Sequence, residues 1–309
     1  MRTGAALGHV GYFHETAFYG SDDDFRSVVV PFLDEGVSAG EPVVVACLPG
    51  NERLIRDAVA EPSGVVFLTA DQYARPTEAI VSYRKLFAEY AGVAQIRVVG
   101  DVPHPGVGAA WDWWSRYEAA VNEVFAEYPL WGLCPYDLRT TPARVLADVL
   151  RSHPRVAGVD GAHEPNPRYR PSWALPSAGS TGFEAGPPLV ELTDPTAAQA
   201  RRAVTSVCAT TRLSRDEVDD IVYAASEAVT NAQCHGLPPV RLRVWAGPAH
   251  VLVAVTDRGG GPAAPSAGLV PTDRSATAGV GLWLTHRTCR DVTMTHDADG
   301  YTIRMTVGP

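Results

Sequence analysis

Residues 226–236 read SEAVTNAQCHG. They lie in a stretch, 214–235, whose apolar residues recur at helical spacing. Val218, Ile221, Val222, Ala225, Val229 and Ala232 form one stripe. Ser214 followed by Glu217 gives the stretch a capping-box start. Glu227 and Asn231 are four residues apart, so they share a face one turn above the other, roughly opposite the stripe. Asn is a poor helix former because its amide competes for the backbone, and it prefers caps. Its place in mid-helix, one turn from a carboxylate, needs a reason other than propensity. A solvated surface is the plainest account of such a pair taken alone. Two further stretches argue against it.

The first is VTDRGGGP, 255–262. A period-2 run ends on Asp257, and Gly259, Gly260 and Gly261 follow. Glycine lets the backbone approach a ligand closely and adopt positive φ. A carboxylate fixed at a strand end accepts a hydrogen bond from an exocyclic amine. The second is Gly279-Val280-Gly281-Leu282, directly before a helical stretch. Backbone N–H groups at a helix start, with no Cβ in the way, suit a phosphate. Taken singly, each motif also fits an ordinary tight loop or helix start. Their order and spacing are far more specific.

ExxxN on a helix, DxGxG after a hairpin and GxGL before a helix together resemble the Bergerat ATP-binding fold of the GHKL superfamily (HATPase_c). Histidine kinases, gyrase-type ATPases and the RsbW-type anti-sigma kinases share it. The resemblance covers residues 189–309. It implies ATP and Mg²⁺ as cofactors, with residues 262–278 as a lid over the nucleotide. It implies that Asn231 holds the Mg²⁺ ion, that Glu227 is the general base, and that Asp257 meets the adenine amine. Gly259 and Gly261 belong to the first glycine box, and Gly279 and Gly281, in the second, accommodate the phosphates. Mg²⁺ takes oxygen ligands and keeps several waters, so one amide oxygen from the protein suffices. Arg274 in the lid is a candidate γ-phosphate contact.

A histidine kinase needs a phospho-accepting His on a helix before its ATP domain. The stretch 194–211 has no His, and His163 lies among prolines. The short domain is therefore most similar to the anti-sigma regulatory kinases. That resemblance implies a sigma factor and a STAS-type antagonist as partners, and a partner Ser or Thr hydroxyl activated by Glu227. Two other readings stay open: an atypical sensor histidine kinase lacking its own phospho-acceptor helix, and a catalytically inactive ATP-binding interaction module.

Around these motifs, LVELT (189–193) reads as a strand and Asp194-Pro195 as the cap and first residue of a helix to 211. Residues 240–246 and 250–257 alternate as one hairpin, 291–297 and 301–307 as another, and 282–290 are helical. This predicts an α+β Bergerat-type sandwich with helices on one face of the sheet.

Residues 1–155 differ. Strands at 9–13, 42–48, 65–69, 96–101 and 130–134 alternate with helices at 21–39, 50–60, 77–91, 109–127 and 142–151. Such alternation predicts an α/β domain with a mainly parallel sheet and helices on both faces. Residues 156–188, crowded with Pro, Gly and Ser, read as an interdomain linker. There is no P-loop motif. The run from His9 to Gly50, with YEAAVNEVF (117–125), LCPYD (133–137) and SHP (152–154), resembles the MEDS (DcmR-type sensory) domain, which implies a RecA-like fold and a sensing role. His9, His14, Cys47, His104, Cys134 and His153 are candidate ligand contacts, although no spacing marks a metal site. Trp111, Trp113 and Trp114 with Tyr117 read as core or as a homodimer contact.

Composition sets outer limits. The chain has 309 residues, 46% hydrophobic and 20% charged, with a formal net charge of −9. No dense basic patch supports nucleic-acid binding. Five dispersed cysteines, with no CxxC unit, fit reduced thiols. No apolar run approaches the length that spans a bilayer, and the N-terminus lacks a signal-like core. These features predict a cytoplasmic protein without direct membrane or nucleic-acid contact.

Overall fold

The computed structural model describes residues 1–68, 75–90, 92–108, 111–171, 184, 186–264, 266–270 and 280–308. The chain divides into two compact units, Met1–Ser172 and Trp173–Pro309.

The first unit runs β1 (Phe13–Tyr19), α1 (Asp22–Ser38), β2 (Val43–Ala46), α2 (Pro49–Arg56), β3 (Val65–Phe67), α3 (Pro76–Glu89), β4 (Ile96–Gly100), α4 (Asp112–Val124), β5 (Leu130–Asp137), α5 (Ala143–Ser152), β6 (Arg155–Ala157) and β7 (His163–Pro165). The sheet order is β3-β2-β4-β5-β1-β6-β7. Every pairing is parallel except β6 with β7. Central strands of this kind are covered on both faces, which is why VVVA of β2 is buried throughout. Ser21 caps α1 by accepting from Asp24 N, and three Asp follow in the first turn, where the helix dipole favours them. One face of the sheet packs Phe13, Ala17, Val43, Val45 and Leu133 against Phe25, Val29 and Leu33 of α1.

Arg97 of β4 is buried in this layer. Its Nε donates to Glu41 Oε2 at 2.7 Å, its Nη1 to Phe32 O at 2.7 Å and its Nη2 to Thr3 Oγ1 at 2.8 Å. Its guanidinium lies 4.6 Å from the centre of the Trp131 ring. The charge is thus both paired and hydrogen-bonded, the condition for burying one.

Two sequence expectations differ here. The first strand starts at Phe13 rather than His9, because β1 carries buried His14, Glu15 and Thr16 that an apolar-run criterion passes over. The start of the Pro-rich stretch at 156 still belongs to the first unit, as the β6–β7 pair. Pro165 is tolerated because β7 is an edge strand, where a missing N–H breaks no inner ladder. Asn166 then ties the chain down, its Nδ2 donating to Leu150 O and His153 O.

The second unit runs β8 (Val190–Thr193), α6 (Ala197–Cys208), α7 (Arg215–His235), β9 (Arg241–Ala246), β10 (Val251–Asp257), α8 (Val280–Thr288), β11 (Asp291–Asp297) and β12 (Gly300–Val307). Its five strands, in the order β11-β12-β10-β9-β8, pair antiparallel throughout. Helix α7 packs on β10 and β12, with α6 and α8 beside it. Ser214 and Glu217 form the expected capping box of α7. Helix α6 starts later than expected. Its cap is Thr196, in a capping box with Gln199, while Asp194 takes φ 48° and accepts from Val240 N. Asp194 thus pins a strand end instead of a helix start. No helix among the described residues is long and apolar enough to cross a membrane.

Candidate nucleotide site

Helix α7 lays its small residues against the sheet: Ala224, Ala225, Ala228, Val229 and Ala232 are all buried. Next to them is a cavity of about 390 Å³, a volume in the range of small-molecule sites. Its walls come from Ala228, Ala232, Val255, Leu282, Tyr301 and Ile303, and its polar groups include Asn231 and Asp257. Central strand β10 delivers Asp257 at its end, buried to 3% exposure. One carboxylate oxygen, Oδ1, accepts from Gly259 N at 2.6 Å and from Leu237 N at 3.2 Å. Both bonds fall on Oδ1, which leaves Oδ2 as an acceptor for a ligand.

Two glycines make that placement feasible. A Cβ at Gly259 would fall 2.7 Å from Asp257 Oδ1, and one at Gly236 would overlap the same carboxylate. Gly261 takes φ 72°, a left-handed conformation open to glycine, and lines the cavity. A mainly apolar cavity with one fixed carboxylate in its lining suits a heterocycle that presents an exocyclic amine.

Asn231, Asp257 and Gly261 therefore meet around one cavity. Gly259 donates its N–H to Asp257 and does not itself line the cavity. Glu227 does not line the cavity; its carboxylate lies against Gly281 at the start of α8, one residue before the lining residue Leu282. The Asn231 side chain makes no hydrogen bond among the described residues, so its amide oxygen is available to a cation. The residues present thus fit a Mg-nucleotide: an oxygen donor, an amine acceptor and a glycine at a helix start. Arg274 and Gly279 lie outside the described residues. Sequence reasoning missed Gly236, Tyr301 and Ala228. Gly236 had a signal, since it ends the opening stretch directly after α7. Tyr301 had none, because the ladder partner of Asp257 depends on register.

The N-terminal candidates divide. His14, Cys134 and His153 come together beneath the sheet. His9 is exposed, Cys47 follows directly after β2, and His104 caps a short turn. Trp111 donates to Asp148 Oδ2, and Trp114 packs edge-on to Tyr117 in the interior. The Trp113 side chain lies outside the described residues.

An antiparallel sheet backed by helices, with a pocket that Gly236 and Gly261 help to line, is consistent with a histidine kinase-like nucleotide-site domain. Residues 190–307 match the family described as the histidine kinase-like ATPase domain. Residues 13–154 match the MEDS family, the methanogen/methylotroph DcmR sensory domain. The chain thus joins a MEDS domain to a histidine kinase-like ATPase domain. It is also similar to the transcriptional repressor DcmR of Methylorubrum extorquens, with 24% identity over 155 residues. That match takes in 45% of this chain and spans 57% of the relative's length.

Proposed function

We propose that this protein is a cytoplasmic regulator of the anti-sigma kinase type, binding Mg-ATP in its C-terminal domain and controlling a sigma factor by partner switching. The observation that carries the reading is the convergence of Asn231, Asp257 and Gly261 on one apolar cavity, with Glu227 immediately before the lining residue Ala228 in α7. The sensory domain, which we take to be RecA-like, supplies the input. Its likeness to a region of a transcriptional repressor supports an output at transcription.

Bound Mg-ATP supplies the phosphoryl group and the cation that offsets its charge. The chain's own residues orient it. Asp257 Oδ2 would accept from the base, Asn231 would offer one oxygen to the ion, and Glu227 would take the proton of an incoming Ser or Thr hydroxyl on a STAS-type antagonist, with ADP as the leaving group. The lack of any His in α6 favours a protein hydroxyl over a phosphohistidine on the chain itself.

The test is Mg-ATP titration of wild type and Asn231→Ala, followed by phosphotransfer to a co-expressed STAS-domain protein. Magnesium-dependent binding is expected in wild type and is lost in Asn231→Ala. Unchanged affinity in that variant sinks the assignment of Asn231. Phosphate appearing on a response-regulator Asp rather than a Ser or Thr favours the sensor-kinase alternative. Binding with no transfer to any partner leaves an inactive interaction module.

A further inference from the structure

Four side chains that can ligate a metal meet inside the first unit. His14 comes from β1, Cys134 from β5, Glu118 from α4, and His153 from the end of α5. Parallel pairing sets Thr16 opposite Cys134 and His14 opposite Gly132, so His14 and Cys134 share one face a single pleat apart. Glu15 points the other way and bonds Trp131. One donor atom from each of the four residues lies within 4.8 Å of all the others. His14 Nε2 is 3.4 Å from Cys134 Sγ and 3.8 Å from Glu118 Oε2, which is 3.2 Å from His153 Nε2. Donors about 2.0–2.3 Å from a tetrahedral ion stand roughly 3.3–3.8 Å apart, close to these separations.

The surroundings aim these atoms inward. Asn122 Nδ2 donates to Ser152 O at 2.7 Å, which leaves its Oδ1 to accept from His14 Nδ1 at 3.0 Å. His153 Nδ1 lies 2.9 Å from Val149 O. Both rings therefore carry their proton on Nδ1 and present the Nε2 lone pair to the cluster, as second-shell acceptors do for metal-bound His. Tyr136 donates to Glu118 Oε1 at 2.8 Å, fixing the carboxylate. Glu118 Oε2 and His153 Nε2 are buried with no hydrogen-bond partner among the described residues. Leaving such atoms unsatisfied is costly.

Charge fits as well. A thiolate and a carboxylate with two neutral imidazoles carry −2, which a divalent cation cancels, so the filled site buries no net charge. Binding releases the thiol proton, and the carboxyl proton when Glu118 holds one, to solvent. A small cavity of about 30 Å³, lined in part by His14, Glu118, Cys134, Tyr12 and Tyr117, adjoins the cluster. It has room for one or two waters.

We propose that His14, Glu118, Cys134 and His153 form a binding site for a divalent transition-metal ion of the zinc class in the MEDS domain. Mixed imidazole, thiolate and carboxylate donors favour such an ion over Mg²⁺ or Ca²⁺.

The full, tag-free chain is loaded with Zn²⁺ or Co²⁺, dialysed, and assayed for bound metal and for its visible and near-ultraviolet spectrum. One tightly held ion is expected, with cobalt giving intense tetrahedral bands and a thiolate charge-transfer band. Cys134→Ser should abolish the charge-transfer band. Asn122→Ala should weaken binding about 10–100-fold by freeing the His14 ring. Cys47→Ser should bind as wild type does. If Cys134→Ser fails to fold, the wild-type cobalt spectrum decides alone. Absence of retained metal, a cobalt spectrum without the thiolate band, or loss of the band in Cys47→Ser instead of Cys134→Ser overturns the proposal.

Discussion

The carboxylate of Glu227 lies against the backbone of Gly281, so that any Cβ at position 281 would overlap Glu227 Oε2. Two motifs far apart in sequence therefore act on each other: the glycine sets where the carboxylate rests. The obstacle to a larger residue is the mobile end of one side chain, which can move aside without unfolding the domain. We predict that Gly281→Ala displaces Glu227 and lowers phosphotransfer about tenfold or more, while nucleotide affinity changes less. Tenfold corresponds to about 1.4 kcal/mol, within the range of overpacking effects. Single-turnover kinetics beside a binding titration checks this, and equal losses in both would count against it.

Asp257 has two separable roles. In Asp257→Asn the side-chain oxygen still accepts from Leu237 N and Gly259 N, but a donor replaces Oδ2. Stability should stay close to wild type while affinity for an amine-bearing base falls. Asp257→Ala leaves two backbone donors without their acceptor and should lose about 1–3 kcal/mol of stability besides. Thermal unfolding and ATP titration of both variants separate the roles. A stable Asp257→Ala would contradict the bonding described.

Arg97 tests the first unit's core. Arg97→Ala removes the partner of buried Glu41 together with packing on Trp131. Removing one member of a buried pair costs about 3–5 kcal/mol, because the other charge is left uncompensated. Urea unfolding followed by tryptophan fluorescence should show the loss. Arg97→Ala with Glu41→Gln should recover part of it.

Asp101, just after β4, accepts from Leu48 N and Asn51 Nδ2. Burial pushes its carboxyl up to about 6, against those hydrogen bonds, which lower it. The folded state thus holds this proton more tightly than the unfolded chain does. The group's contribution is fully present below the unfolded value near 4. It is lost as pH rises to about 6, and further alkalinity changes nothing. The swing is on the order of 2–3 kcal/mol. Asp101→Asn should flatten the difference between unfolding curves measured near pH 4 and near pH 7. An unchanged slope would remove Asp101 as its source.

Much of this was legible in the sequence. Helix α7 followed from its period, and its start from Ser214 and Glu217, because a capping box is satisfied locally. Both hairpins followed from alternation across short turns. Where burial overrode local preference, the reading slipped: β1 hides His14, Glu15 and Thr16, and Asp194 serves a neighbouring strand rather than a helix cap. The linker's first residues became an edge pair because a sheet lay there to receive them.

Residue type and spacing alone determined that Glu227 and Asn231 share a helix face, that glycines follow Asp257, and that two differently patterned regions make up the chain. These are consequences of 3.6-residue and 2-residue periods. Tertiary structure decided the rest. It set Gly236 and Gly259 around Asp257, and Gly281 against Glu227. It also gathered His14, Glu118, Cys134 and His153 from four elements over 140 positions of chain. The physical reason is that such contacts depend on strand order, register and helix placement. Those are fixed only when the chain packs its layers, and no period within a single element encodes them.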